Sequence, residues 1–178
     1  LSTRPFREGA LKEEVEAWTP LHQAALGRLR GDRRVEERDG LLARWLAWIE
    51  NVVDNPLVNV LSHPGAEIHN CGLSGDFGPD VREAFEPVLA AMAAGETAFD
   101  LNETALRRFG EEALDGYVAL VRLARERGVR FTAGSDAHHG VNLADYVLAP
   151  AVIREAGIEP GDFWHPPPTA ARSWLPAR

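Results

Sequence analysis

An α/β fold built on parallel strands is what the sequence predicts, and three observations carry that expectation. Helical patterns alternate with short apolar runs along the chain. The runs "LVNVLS" (57–62), "TAFDLN" (97–102) and "VRFTAG" (129–134) have strand length and strand-like apolar composition. A helix separates each run from the next, and parallel neighbours need a crossover of that kind. A chain of 178 residues suits a single domain, 1–178.

Residues 1–38 read as a charged helical leading segment with no strand. In "DGLLARWLAWIENVVDN" (39–55), Leu41, Leu42, Trp45, Leu46, Ile49, Val52 and Val53 recur at helical spacing and form one wide apolar face. Pro56 stops that helix. The first strand follows at 57–62, then "SHPGAEIHNCGLSGDFGP" (62–79), a long loop by its Gly, Pro and Asn content. Asp80 is expected to N-cap the next helix, with Glu83 completing a capping box. Val81, Phe85, Val88, Leu89 and Met92 make its buried face, and Gly95 its stop. Beyond the second strand, a helix is expected from Glu111 to Arg127, with Leu114, Tyr117, Val118 and Val121 inward and Gly128 at its end. The third strand leads into "GSDAHHG", and a short helix begins at Pro150, where proline fits the first turn. The tail, 162–178, is too proline-rich for regular structure.

Bulk composition narrows the function classes. The formal net charge of -8 disfavours non-specific nucleic-acid binding by the molecule as a whole. Cys71 is the only cysteine, which excludes an intrachain disulfide and a cysteine-based zinc cluster. No apolar stretch approaches the roughly 20 residues that cross a bilayer. The start, "LSTRPFREGALKEE", has no apolar signal region, so a cytoplasmic protein with no membrane partner is expected.

Placing the polar residues on the strands gives the functional reading. The first strand ends in Ser62-His63-Pro64; the second carries Asp100, Asn102 and Glu103; the third ends in Ser135-Asp136-Ala137-His138. Parallel strands put all three groups at one edge, the edge where α/β folds build their chemistry. In an extended segment residues i and i+2 point the same way, so Asp136 and His138 can address one site. His63 precedes proline and is expected to be extended. Imidazole nitrogen with carboxylate oxygen suits Zn, Mn or Fe better than Ca or Mg. Asp100, Asn102 and Ser135 then orient ligands or touch substrate. His139 points to the opposite side and takes a surface or outer role. Any one of these motifs alone is more often a turn or a cap; their alignment at three strand ends carries the site. His69 with Cys71 reads as an ordinary loop, His22 as exposed, and His165 as a tail residue. Arg107 and Arg108 either meet a substrate phosphate or lie on a solvated helix face.

Three stretches together resemble a known family. "GVRFTAGSDAH" looks like the last metal-binding motif of the PHP (polymerase and histidinol phosphatase) family, "VNVLSHPG" like its preceding strand ending in His-Pro, and "AFDLNETALRR" like its strand bearing an acidic residue and asparagine. The resemblance covers about residues 40–160. It implies an α/β fold that is part of a distorted (β/α)7, TIM-like barrel with parallel strands. It also implies a cluster of two or three divalent metals, with His63, Asp136 and His138 as ligands. The implied activity is hydrolysis of a small phosphorylated substrate, such as a histidinol-phosphate-like or nucleotide-like ester, with nucleic acid only as substrate. The family's usual glutamate stands here as Asp100, and its His-x-His after the first strand and its middle motifs are absent. Three or four strands are also few for a closed barrel. The amino-terminal part of such a domain is therefore expected upstream of Leu1. The alternatives are a degenerate, non-catalytic scaffold or binding module, and an amidohydrolase-like enzyme, for which Lys12 is badly placed.

Overall fold

A computed structural model describes residues 35–66 and 77–166 of the chain. His22, His69 and Cys71 lie outside them, as do the proline-rich residues 167–178. The described chain runs α1 (Val35–Val53), β1 (Val60–Leu61), α2 (Pro79–Ala94), β2 (Ala98–Asn102), α3 (Glu103–Leu106), α4 (Glu111–Glu126), β3 (Phe131–Gly134) and α5 (Ala149–Ala156). The three strands form one parallel sheet in the order β1-β2-β3.

The centre of the sheet is β2, and all five of its residues are buried. Its apolar members join the hydrophobic core, while Asp100 and Asn102 carry polar groups into the same interior. Leu42, Leu46, Ile49 and Val53 of α1 are buried as the spacing predicts; the side chain of Leu41 lies outside the described set. Helix α1 packs on α2, and the Trp45 ring meets Phe85 edge-on with centroids 5.8 Å apart. Val81, Phe85, Val88, Leu89 and Met92 are all buried on α2, as expected from their period. Tyr117, Val118 and Val121 of α4 are buried too, with Leu114 packed beside them. Phe99 joins α4 and β3, its ring centroid 6.1 Å from that of Tyr117 and 6.0 Å from that of Phe131. Behind this cluster Gly65, at φ +97°, is required for space as well as conformation, because a Cβ there would stand 2.9 Å from the Phe77 ring.

Three local expectations are corrected. Strand β1 covers Val60–Leu61 rather than 57–62. Asn55 accounts for the difference: its Oδ1 accepts the Leu57 N–H at 3.1 Å and its carbonyl accepts the Val58 N–H at 2.9 Å. That turn takes up residues 55–58, so the ladder starts at the Asn59 carbonyl, which accepts the Ala98 N–H. Helix α2 starts at Pro79, with Gly78 as its N-cap, so Asp80 lies in the first turn and no Asp80–Glu83 capping box opens the helix. Proline supplies a fixed φ and lacks the N–H that a cap would satisfy; Asp80 instead places its charge at the positive end of the helix. The third correction is the start of the tail. Pro160–Asp162 form a 3₁₀ turn, Phe163 bridges Phe131 in parallel, and the Trp164 N–H donates to the Phe131 carbonyl at 2.8 Å. That isolated parallel bridge sets Phe163 against β3.

The remaining boundaries agree closely with expectation. Gly95 ends α2, Gly128 follows α4 at φ +81°, and α5 starts at Ala149 with Pro150 in its first turn. Among the described residues no helix is long and apolar enough to cross a membrane.

Candidate functional site

Because the sheet is parallel, Asn102 at the end of β2 and His63 and Asp136 just past the ends of β1 and β3 stand at one edge. The central strand supplies a buried polar group held by two side-chain hydrogen bonds. Asp100 is buried; its Oδ1 accepts from the Thr132 hydroxyl and its Oδ2 from the Asn102 amide, each at 3.2 Å. Thr132 is its partner in the β2–β3 register, so the first of these bonds follows directly from strand pairing. Asn102 Oδ1 also accepts the Ala105 N–H at 2.9 Å, which makes Asn102 the N-cap of α3. One amide thus starts a helix and orients Asp100.

Gly134 sits under this carboxylate. A Cβ on it would lie 3.0 Å from Asp100 Oδ1, closer than side chains normally approach. Gly134→Ala is expected to push Asp100 off Thr132 and cost roughly 1–3 kcal/mol, read as a lowered urea midpoint. A wild-type midpoint would show that Asp100 can move freely.

Glu103, the residue after β2, is fully buried and turned toward the start of α5. Its carboxylate accepts the backbone N–H groups of Leu148, at 3.0 Å, and Ala149, at 2.9 Å, and the Arg107 Nε–H at 2.8 Å. Burial alone would push its pKa up; the bonds from Ala149, Arg107, Leu148 and Val147 outweigh it and hold the carboxyl below its ordinary value. Arg107 in turn donates to Asp145 Oδ2 at 2.9 Å, and its two carboxylate partners, Glu103 first, raise its pKa. Of the two readings of Arg107, the structure supplies a third: a brace between α3 and the segment before α5. Arg108 is exposed.

At the end of β3, Asp136 and His138 do come together, with His138 Nε2 3.6 Å from Asp136 Oδ1. Extended alternation is not the cause, and that expectation is corrected. Asp136 is in the left-handed region at φ +50°, and His63, expected to be extended, is there too at φ +38°. The side chain of Asp136 is 38% exposed and that of His138 77%, so both are open to a ligand from solution. Thr104, which sequence reasoning missed, donates from its hydroxyl to the Ser135 carbonyl at 2.9 Å, with the Asp136 carbonyl at 3.4 Å. His139 is exposed and opens the 3₁₀ turn Gly140–Asn142. His165 is exposed.

The third predicted ligand stands apart. His63 follows β1 and Asp136 follows β3, with β2 between them, so two strand spacings of about 4.8 Å separate their strands. The His63 Nδ1 atom is buried. Among the described residues no three His, Cys, Asp or Glu side chains converge where one metal ion could sit. Asp136 and His138 therefore stand as a pair, and Asp100 lies one strand inward of it.

Comparison with known proteins adds relatives of stated name. The chain is 26% identical over 110 residues to a probable phosphatase of Thermoanaerobacter sp. (strain X514), a match covering 62% of this chain and 40% of that protein. It is 28% identical over 106 residues to a probable phosphatase of Vibrio atlanticus (strain LGP32), covering 58% and 40%. A probable phosphatase of Shewanella halifaxensis (strain HAW-EB4) is 23% identical over 128 residues, covering 72% and 47%. The chain thus spans about 40 to 47% of the length of these relatives. No family model matches the chain, and no solved structure does.

Proposed function

We propose that this chain carries part of the active face of a metal-dependent phosphoesterase of the PHP type, acting on a small phosphorylated substrate. The observation that carries the reading is the Asp136–His138 pair, 3.6 Å apart and solvent-open at the carboxyl edge of a parallel sheet. Relatives named probable phosphatases support the same chemistry. The parallel order, with a further rung beyond β3 at Phe163, fits an arc of a distorted (β/α)7 barrel.

The donor set, imidazole nitrogen beside carboxylate oxygen, suits Zn, Mn or Fe. Asp136 and His138 would hold one such ion, and His63, across β2, would belong to a second position of a multinuclear cluster. When bound, such ions acidify water and neutralise charge on an attacked phosphate. The chain's own residues do the rest. Asp136 presents its carboxylate from a fixed turn, and His138 presents Nε2 to the same point. Asp100, held by Thr132 and Asn102, sets its carboxyl group at the floor of the edge.

The test is phosphate release from histidinol phosphate, nucleoside monophosphates and p-nitrophenyl phosphate, with added Mn²⁺ or Zn²⁺ and with EDTA. Release that requires metal and is abolished by the chelator is expected. Background release in every metal would assign the chain to a non-catalytic module instead.

A further inference from the structure

The β2–β3 ladder ends at the Asn102–Gly134 pair, yet the chain continues past it into the turn that carries Asp136. Among the described residues the ladder pairs nothing beyond it, so Ser135 and Asp136 have no register partner on β2. Thr104 takes the place of one. It stands two residues past Asn102, in the first turn of α3, where Asn102 already caps the helix. Its hydroxyl is therefore left over from helix capping and reaches across to β3, 2.9 Å from the Ser135 carbonyl and 3.4 Å from that of Asp136. A hydroxyl has one hydrogen, so the shorter contact is the bond and the longer one its bifurcated limb.

The bond falls on a strained point. Asp136, at φ +50°, is a non-glycine residue in a region that costs energy unless its surroundings hold it there. That conformation aims its carboxylate back at His138. We infer that Thr104 is a positioning residue: its hydroxyl holds the Ser135–Asp136 backbone in the left-handed turn from which Asp136 is presented to a divalent cation. The cation rests on the phosphoesterase reading; the hold on the backbone does not.

Two variants of the protein separate these claims. Thr104→Val removes the hydroxyl at nearly constant volume, and Thr104→Ser keeps it. Mn²⁺ affinity, measured by calorimetry, is expected to fall about tenfold in Thr104→Val, the loss usual when a residue orienting a ligand is removed, with Thr104→Ser close to wild type and all three melting temperatures similar. In metal-free protein, the HN–Hα coupling of Asp136, which reports φ, is expected to shift in Thr104→Val and return in Thr104→Ser. Wild-type affinity in Thr104→Val would overturn the inference, as would equal loss in both variants accompanied by lower melting temperatures. If the wild type binds no Mn²⁺, the phosphoesterase reading fails and the coupling alone decides. A shift that serine reverses upholds the hold on Asp136, and an unmoved coupling overturns it.

Discussion

Glu103→Ala is expected to destabilise the protein by about 3 kcal/mol, among the largest losses any single polar substitution here will produce. The reason lies in how many donors one buried carboxylate serves. Leu148 and Ala149 open α5, and the first N–H groups of a helix have no partner within it. Glu103 reaches them from 45 residues away in sequence, and takes the Arg107 guanidinium as well. With alanine, Arg107 is exposed enough to be rehydrated and retains Asp145. Ala149 is fully buried and Leu148 half-buried, and a buried unsatisfied donor costs roughly 1–3 kcal/mol. A domain of ordinary stability, about 5–15 kcal/mol, would lose a large share of it. Urea denaturation checks the claim; an unchanged midpoint in Glu103→Ala would sink it.

The same carboxylate gives the difference a pH signature. Its folded pKa lies below the ordinary value of 4.5, because hydrogen bonds to the charged form outweigh burial. The unfolded chain therefore takes up the proton first as pH falls. The stabilisation is complete above the unfolded value and is lost as pH drops through it toward the lowered folded value. Wild type minus Glu103→Gln stability should be flat near neutral pH and shrink in acid. Growth of the difference in acid would show the opposite sign of shift.

Legibility in the sequence follows the range of the interaction that sets each feature. The faces of α1, α2 and α4 were readable because period alone sorts Phe85, Met92 or Tyr117 inward. The grouping of His63, Asn102 and Asp136 was readable because parallel pairing leaves the strand ends no other edge to occupy. The shortening of β1 was not, since it depends on Asn55 forming a turn where a strand pattern also fits. Least readable were the positive φ angles of His63 and Asp136, which neighbours in sequence argue against. At Asp136 the hold comes from Thr104, a bond 31 residues distant that no local pattern announces. The partners of Glu103 are set at the same long range: its sequence position places it at a strand end, and only the fold shows a helix start above it.

Asp136→Asn is the substitution expected to remove the most activity while leaving the fold alone. Asparagine tolerates the left-handed region as aspartate does, so the turn at φ +50° should persist. The side chain is 38% exposed, and its loss of charge should alter stability by no more than about 0.5 kcal/mol. What asparagine cannot do is supply an anionic oxygen beside His138 Nε2. On the proposed chemistry, metal-dependent phosphate release should fall by at least about 100-fold, and Mn²⁺ affinity with it. His138→Ala should do the same, since both side chains meet at one point. The double variant should then be little worse than either single one, because groups that act as a unit fail together. Turnover and Mn²⁺ affinity retained in Asp136→Asn would remove this corner from the active face. Losses that multiply in the double variant would show that Asp136 and His138 serve different ions.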